Sequence, residues 1–196
     1  AARALAVIGE SALQPLTMVV ANGSSRARTA AVDAIGQLGP AGEPGCEAIL
    51  KAAVSSDDEA FKIAAIQAGI RTGCRSPEHV GFLVDALLGD GDELRRAGIN
   101  GLLALKRFPE LVLPPLGDLL ENENAVARER AAYVIGRMGA GAAFALPRLI
   151  SGVLEATSDE RRAIYKEAIV NIGSPAFVPL VTLLVGEPLS GIGNAG

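Results

Sequence analysis

The sequence predicts an all-α chain folded as an α-solenoid, a superhelical stack of about six two-helix repeats, because three columns of residues recur with one period. The first column is a small-and-aliphatic run that closes on Ile-Gly. It occurs as Ala6-Val7-Ile8-Gly9, Asp33-Ala34-Ile35-Gly36, Tyr133-Val134-Ile135-Gly136 and Val170-Asn171-Ile172-Gly173. Weaker versions, Gln67-Ala68-Gly69 and Gly101-Leu102-Leu103, fill the gap, so the steps from 36 to 69, 103 and 136 are 33, 34 and 33 residues. The second column is one distinctive residue in an aliphatic segment: Met18, Lys51, Asp85, Asp118, Ser151 and Thr182, at steps of 33, 34, 33, 33 and 31. The third is basic, Arg28, Lys62, Arg95 and Arg128, at steps of 34, 33 and 33.

The period divides the chain into units 1–22, 23–56, 57–90, 91–123, 124–157 and 158–187, with 188–196 a tail or the start of a further repeat. Each unit reads as two helices. In the fifth, Asn124 is an N-cap, Val126 to Met138 is an Ala-rich amphipathic helix, and Gly139-Ala140-Gly141 breaks it. Ala142 to Glu155 then carries Phe144, Leu146, Leu149, Ile150, Val153 and Leu154 as a helical apolar stripe. Ser24-Ser25, Asp57-Asp58 and Asp90-Gly91-Asp92 precede other first helices. Gly39-Pro40, Arg75-Ser76-Pro77 and Arg107-Phe108-Pro109 separate the two helices of a unit. Pro15, Pro115, Pro147 and Pro179 fall early in second helices, where a missing N–H is tolerated. Strand alternation with hairpin turns is absent from the sequence.

Composition agrees. Hydrophobic residues are 49% of the chain but aromatics only 4%, with no Trp. The core is therefore expected to be Ala, Leu, Ile and Val, and small residues such as Ala30, Ala31, Ala64, Ala65, Ala131 and Ala132 let helices of neighbouring repeats approach closely. One helix pair cannot bury its apolar face alone, so stability is expected from neighbour interfaces.

The segments Ala27-Arg28-Thr29-Ala30-Ala31-Val32-Asp33-Ala34-Ile35-Gly36-Gln37-Leu38-Gly39 and Arg130-Ala131-Ala132-Tyr133-Val134-Ile135-Gly136-Arg137-Met138-Gly139 resemble the HEAT-repeat family. They are most similar to its short bacterial and archaeal kind related to phycobilisome-lyase repeats, and the resemblance covers essentially the whole chain. Units three and four lack Ile-Gly, and unit six has a longer first helix. The Trp and Gly-Tyr landmarks of tetratricopeptide repeats and the Thr-Pro-Leu-His of ankyrin repeats are missing.

Each residue group with chemical potential also has a structural reading. Gly191-Ile192-Gly193-Asn194-Ala195-Gly196 matches a dinucleotide fingerprint literally, but that site needs a βαβ context the sequence does not offer. Gly36, Gly39, Gly42 and Gly45 are read as helix termination and an inter-helix turn, and Asn22-Gly23-Ser24 as a turn rather than a glycosylation site. His79, the one histidine, cannot supply a multi-His metal site and is expected to be a surface or capping residue. The several His-Glu pairs of the HEAT-like iron enzyme deoxyhypusine hydroxylase are missing. The acidic clusters Asp57-Asp58-Glu59, Asp90-Gly91-Asp92-Glu93 and Glu121-Asn122-Glu123 fit no EF-hand and are read as caps and helix-dipole partners. The resemblance implies that the basic column pairs with acidic residues between repeats. Cys46 and Cys74 match no zinc or redox spacing and are read as ordinary thiols of a reducing cytoplasm, a disulfide being the alternative.

The net charge of −4 and pI near 5.1 argue against a dedicated nucleic-acid binder, and no run of 18 apolar residues offers a membrane span. No catalytic constellation, metal site or cofactor site is expected. The expectation is a cytoplasmic, non-catalytic protein–protein interaction scaffold. By resemblance, second helices line a concave face, where Met18, Lys51, Asp85, Asp118, Ser151 and Thr182 form a partner-binding ridge. A bilin-lyase-like chromophore-attachment subunit is the alternative. A HEAT-like nucleic-acid-binding or DNA-repair protein ranks below both, since a basic cleft and Trp are missing. The apolar start Ala1-Ala2-Arg3-Ala4-Leu5-Ala6 and the glycine-rich end suggest a fragment of a longer array or a subunit of a larger assembly, and the start at Ala1 without Met a fragment or a removed leader.

Overall fold

The computed structural model describes residues 2–176, which contain helices and turns and no strand. Ten α-helices follow in order: α1 Ala2–Asn22, α2 Ser25–Gln37, α3 Cys46–Val54, α4 Glu59–Thr72, α5 Pro77–Leu88, α6 Asp92–Ala104, α7 Pro109–Leu119, α8 Ala125–Met138, α9 Leu146–Glu155 and α10 Asp159–Ile172. Short 3₁₀ segments, Gly39–Gly45 and Gly139–Ala145, join α2 to α3 and α8 to α9. Pro179, Thr182, the second helix of unit six and the glycine-rich end lie outside the described residues.

The chain forms two compact units, one ending at Ala104 and the other beginning at Leu105. In the first, α2, α4 and α6 lie side by side, and α1, α3 and α5 pack against them and against one another. In the second, α8 lies beside α10, α7 packs on α8, and α9 packs on α10. First and second helices of the repeats thus occupy separate layers within each unit.

Local signals set most boundaries. The side chains of Asp58, Ser76, Asn124 and Ser158 cap α4, α5, α8 and α10 by accepting the N–H of Phe61, His79, Val126 and Arg161. The acidic clusters therefore act partly as read: Asp58 is a cap, while Glu121 pairs with Arg148 instead. After first helices the chain reverses at Gly39, Gly73, Gly139 and Gly173, all with positive φ between 57° and 82°. The departing fourth unit has no such glycine, and α6 ends at Ala104 with Leu105 to Arg107 as its turn.

Three local expectations are corrected. Unit one is a single helix that continues through Pro15, instead of two helices. Pro115 sits midway along α7, whose first position is taken by Pro109. The helix expected from Ala142 begins only at Leu146, because Gly139–Ala145 coils as 3₁₀; Phe144 and Leu154 are consequently exposed at 49% and 70%, while Leu146, Leu149 and Ile150 are buried.

The Ile-Gly column has a packing cause. A Cβ on Gly36 would stand 3.0 Å from Ala68 Cα, and one on Gly136 would stand 2.5 Å from Ala168 Cα. The same small residue thus meets the same alanine of the next first helix in both units, α2 on α4 and α8 on α10. Backbone cannot yield as a side-chain tip can. Gly136→Ala is expected to destabilise by about 1–3 kcal/mol through overpacking, outweighing the roughly 1 kcal/mol that alanine gains over glycine in a helix. Gly81→Ala, where a Cβ meets nothing within 4 Å, should instead stabilise by up to about 1 kcal/mol. Urea unfolding midpoints moving the same way in both variants would refute this account.

Candidate functional site

The expected ridge residues lie in the later halves of α1 and of the second helices that follow it. Met18 in α1, Lys51 in α3, Asp85 in α5, Asp118 in α7 and Ser151 in α9 are all exposed, Met18 at 68%. Residues on the other faces of these helices are buried: Ile49 and Ala52 beside Lys51, and Ala86 beside Asp85. Each therefore projects from a helix whose other face is fixed in the core. Thr182 lies outside the described residues.

Three residues of the basic column, Arg28, Arg95 and Arg128, are held by the fold, and Arg95 pairs with an acid at the repeat boundary as the resemblance implies. Arg28 donates through Nε to the Val20 carbonyl at 3.0 Å and through Nη2 to the Ala52 carbonyl at 3.1 Å, and its guanidinium lies 4.6 Å from the Phe61 ring centroid. It satisfies carbonyls in the last turns of α1 and α3, which have no partner within their own helices. Arg128 donates instead to loop carbonyls between α7 and α8, those of Asn122 and Glu123, at 2.7 and 3.0 Å. Arg95 pairs with Asp92, and Arg162 with Asp159 and the Ala156 carbonyl. Arg162 extends the column, which sequence reading stopped at Arg128. An acid–base pair between repeats does exist, Arg161 with Glu129 at 3.2 Å, one position off the column.

The two cysteines are not free thiols. Cys46, the first residue of α3, and Cys74, just past the end of α4, form a disulfide with Cα atoms 5.7 Å apart across 28 residues of sequence. The reading of reduced thiols is thereby corrected, and with it the support they lent to a reducing compartment. No cysteine spacing could have revealed the pair, because the proximity arises from α3 packing on α4.

Beside the disulfide lies a cavity of about 710 Å³ in the first unit. Its apolar wall is Pro44, Leu50 and the bridge itself, and Glu43, Glu47 and Glu78 stand exposed around it. His79 also lines it, but at 5% exposure it is a core residue, not the surface histidine expected. Two features seat it: its backbone N–H donates to Ser76 Oγ at 3.2 Å, and Gly69 leaves room, since a Cβ there would come within 2.6 Å of His79 Cε1. Burial pushes the imidazole pKa down to about 4, so the ring is neutral at pH 7. The Glu78 carboxyl is held below its usual range by its own backbone N–H and by Ser76. Sequence reading missed this site, and its one available signal was Gly69, a small residue in the repeat column that stands ten positions before a histidine.

A smaller cavity of about 300 Å³ in the second unit is lined by Ser151, Arg128, Arg148 and Tyr165, among others. Tyr165 is 4% exposed, and burial raises its pKa. Arg148 there already pairs with Glu121. Among the described residues no group of three metal-ligating side chains converges, and no helix is long and apolar enough to cross a membrane.

Compared with solved structures, the chain is similar to an archaeal HEAT-like repeats protein from Thermococcus onnurineus NA1, with a TM-score of 0.50 and 15% identity over 90% of this chain and 76% of that one. The fold is that of HEAT-like repeats. No family model matches the sequence, and no curated protein does. At this identity the likeness concerns the fold. That fold agrees with the two helix layers within each unit.

Proposed function

We propose that the chain is a non-catalytic scaffold that holds a partner protein along its second helices, at Met18, Lys51, Asp85, Asp118, Ser151 and Thr182. The observation carrying this reading is the exposure of one residue per repeat in the later half of α1, α3, α5, α7 and α9. A HEAT-like repeat stack offers extended surfaces suited to binding rather than an enclosed reaction site. Fold alone does not assign a function, so the proposal rests on that surface. No observation favours the chromophore-attachment alternative.

A photo-crosslinking amino acid placed at Lys51, Asp85 and Asp118 is expected to trap one shared partner. The same group at Gln67 and Tyr133, exposed on first helices, should trap little of it. Lys51→Glu and Asp85→Lys should weaken capture of that partner by tenfold or more. Equal crosslinking from both helix layers would overturn the assignment.

A further inference from the structure

Resting on the protein-binding reading above, we infer that the cavity beside the Cys46–Cys74 bridge receives a lysine or arginine side chain of the partner protein, between Glu43, Glu47 and Glu78 and onto the imidazole of His79.

Two independent observations point to a ligand here. The first is charge. Glu43, Glu47 and Glu78 are all exposed on the wall of one cavity of about 710 Å³, a size typical of ligand pockets. The first turns of α3 and α5 add roughly half a positive charge each at this end, and these would by themselves favour an anion. Arg75 on the wall adds one more and is engaged in interactions of its own. Three carboxylates still leave the balance negative, so a cation is preferred.

The second observation is His79. No protein group hydrogen-bonds to its ring, yet the residue is only 5% exposed. No fully enclosed side-chain nitrogen among the described residues lacks a partner. The ring nitrogens of His79 are therefore not fully enclosed, and the residue lines the cavity. A neutral imidazole offers one acceptor nitrogen, which a donor entering the cavity can engage. A guanidinium or ammonium supplies N–H donors, while Pro44, Leu50 and the disulfide cover its methylene stem. The carboxylates at the mouth neutralise the head group.

The position also suits the proposed surface. Glu47 precedes Lys51 by four residues in α3, and Glu78 precedes Asp85 by seven in α5, so each pair shares a helix face. A chain crossing Lys51 and Asp85 would pass the cavity mouth with a side chain free to enter it.

The test uses the full chain and a fluorescein-labelled decapeptide of glycine and serine bearing three arginines, beside an identical peptide bearing citrulline, the neutral isostere. By fluorescence anisotropy the arginine peptide is expected to bind at least tenfold more tightly than the citrulline peptide. The variant Glu43→Gln/Glu47→Gln/Glu78→Gln should lose at least tenfold in affinity, and raised salt should weaken binding of the wild type. His79→Phe, and His79→Gln as a second choice should the first misfold, should weaken binding severalfold with the far-UV circular dichroism unchanged. Equal affinity for both peptides, unchanged affinity in the triple variant, or no binding of the arginine peptide overturns the inference. Agmatine binding as tightly as the peptide would make this a small-molecule site and overturn it too. The scaffold reading fails separately, through the crosslinks at Lys51, Asp85 and Asp118. A partner trapped there whose basic residues are dispensable would sink the cavity alone.

Discussion

Loss of the Cys46–Cys74 bridge is expected to lower the stability of the first unit by about 3–4 kcal/mol. The disulfide closes a loop of 28 residues. In the chain-entropy account, a loop of that length removes about 3.5 kcal/mol worth of freedom from the unfolded ensemble. It also joins the start of α3 to the turn after α4, so it staples one repeat to the next, where a repeat protein has only neighbour contacts to hold it. The double variant Cys46→Ala/Cys74→Ala should unfold at a lower urea concentration with a steeper slope, because its unfolded chain exposes more surface. Wild-type protein reduced to two titratable thiols should behave alike. Unchanged midpoints in both cases would show that packing alone holds α3 against α4.

Acid should destabilise the protein through His79. The folded pKa is about 4, below the ordinary value of 6.5. The unfolded state therefore binds the proton first. The stability that His79 contributes is complete above pH 6.5 and is lost as pH falls toward 4, a total of about 3 kcal/mol. Glu43, Glu47, Glu78 and Arg75 line the same cavity, and the Glu78 carboxyl is held below its usual range by its own backbone N–H and by Ser76. Urea unfolding at pH 7.5 and at pH 4.5 should show the loss in wild type and a much flatter response in His79→Gln. The same pH response in both would place the acid sensitivity elsewhere.

The fold was legible to the extent that it is periodic. Glycine at positions 36 and 136, the cap at Asn124 and the exposed residues Lys51, Asp85, Asp118 and Ser151 all follow from spacing and residue type, because helix formation and capping are decided within a few residues. The finer boundaries were less legible. A 3₁₀ coil through Gly139–Ala145 and an unbroken α1 across Pro15 reflect what neighbouring elements allow, not what local residues prefer.

Periodicity along the chain thus reports a stack of helix pairs and the residue that each repeat presents outward. Contacts between repeats carry the rest. Arg28 reads as a cation available for an acid between repeats until two helix ends are seen to bring the carbonyls of Val20 and Ala52 to it. His79 reads as a surface residue until Gly69 opens the space that buries it, and Cys46 and Cys74 read as separate thiols until α3 meets α4. The physical reason is common to all three. Their partners stand between 8 and 28 residues away in sequence, and only the meeting of helix faces decides which atoms come within bonding distance.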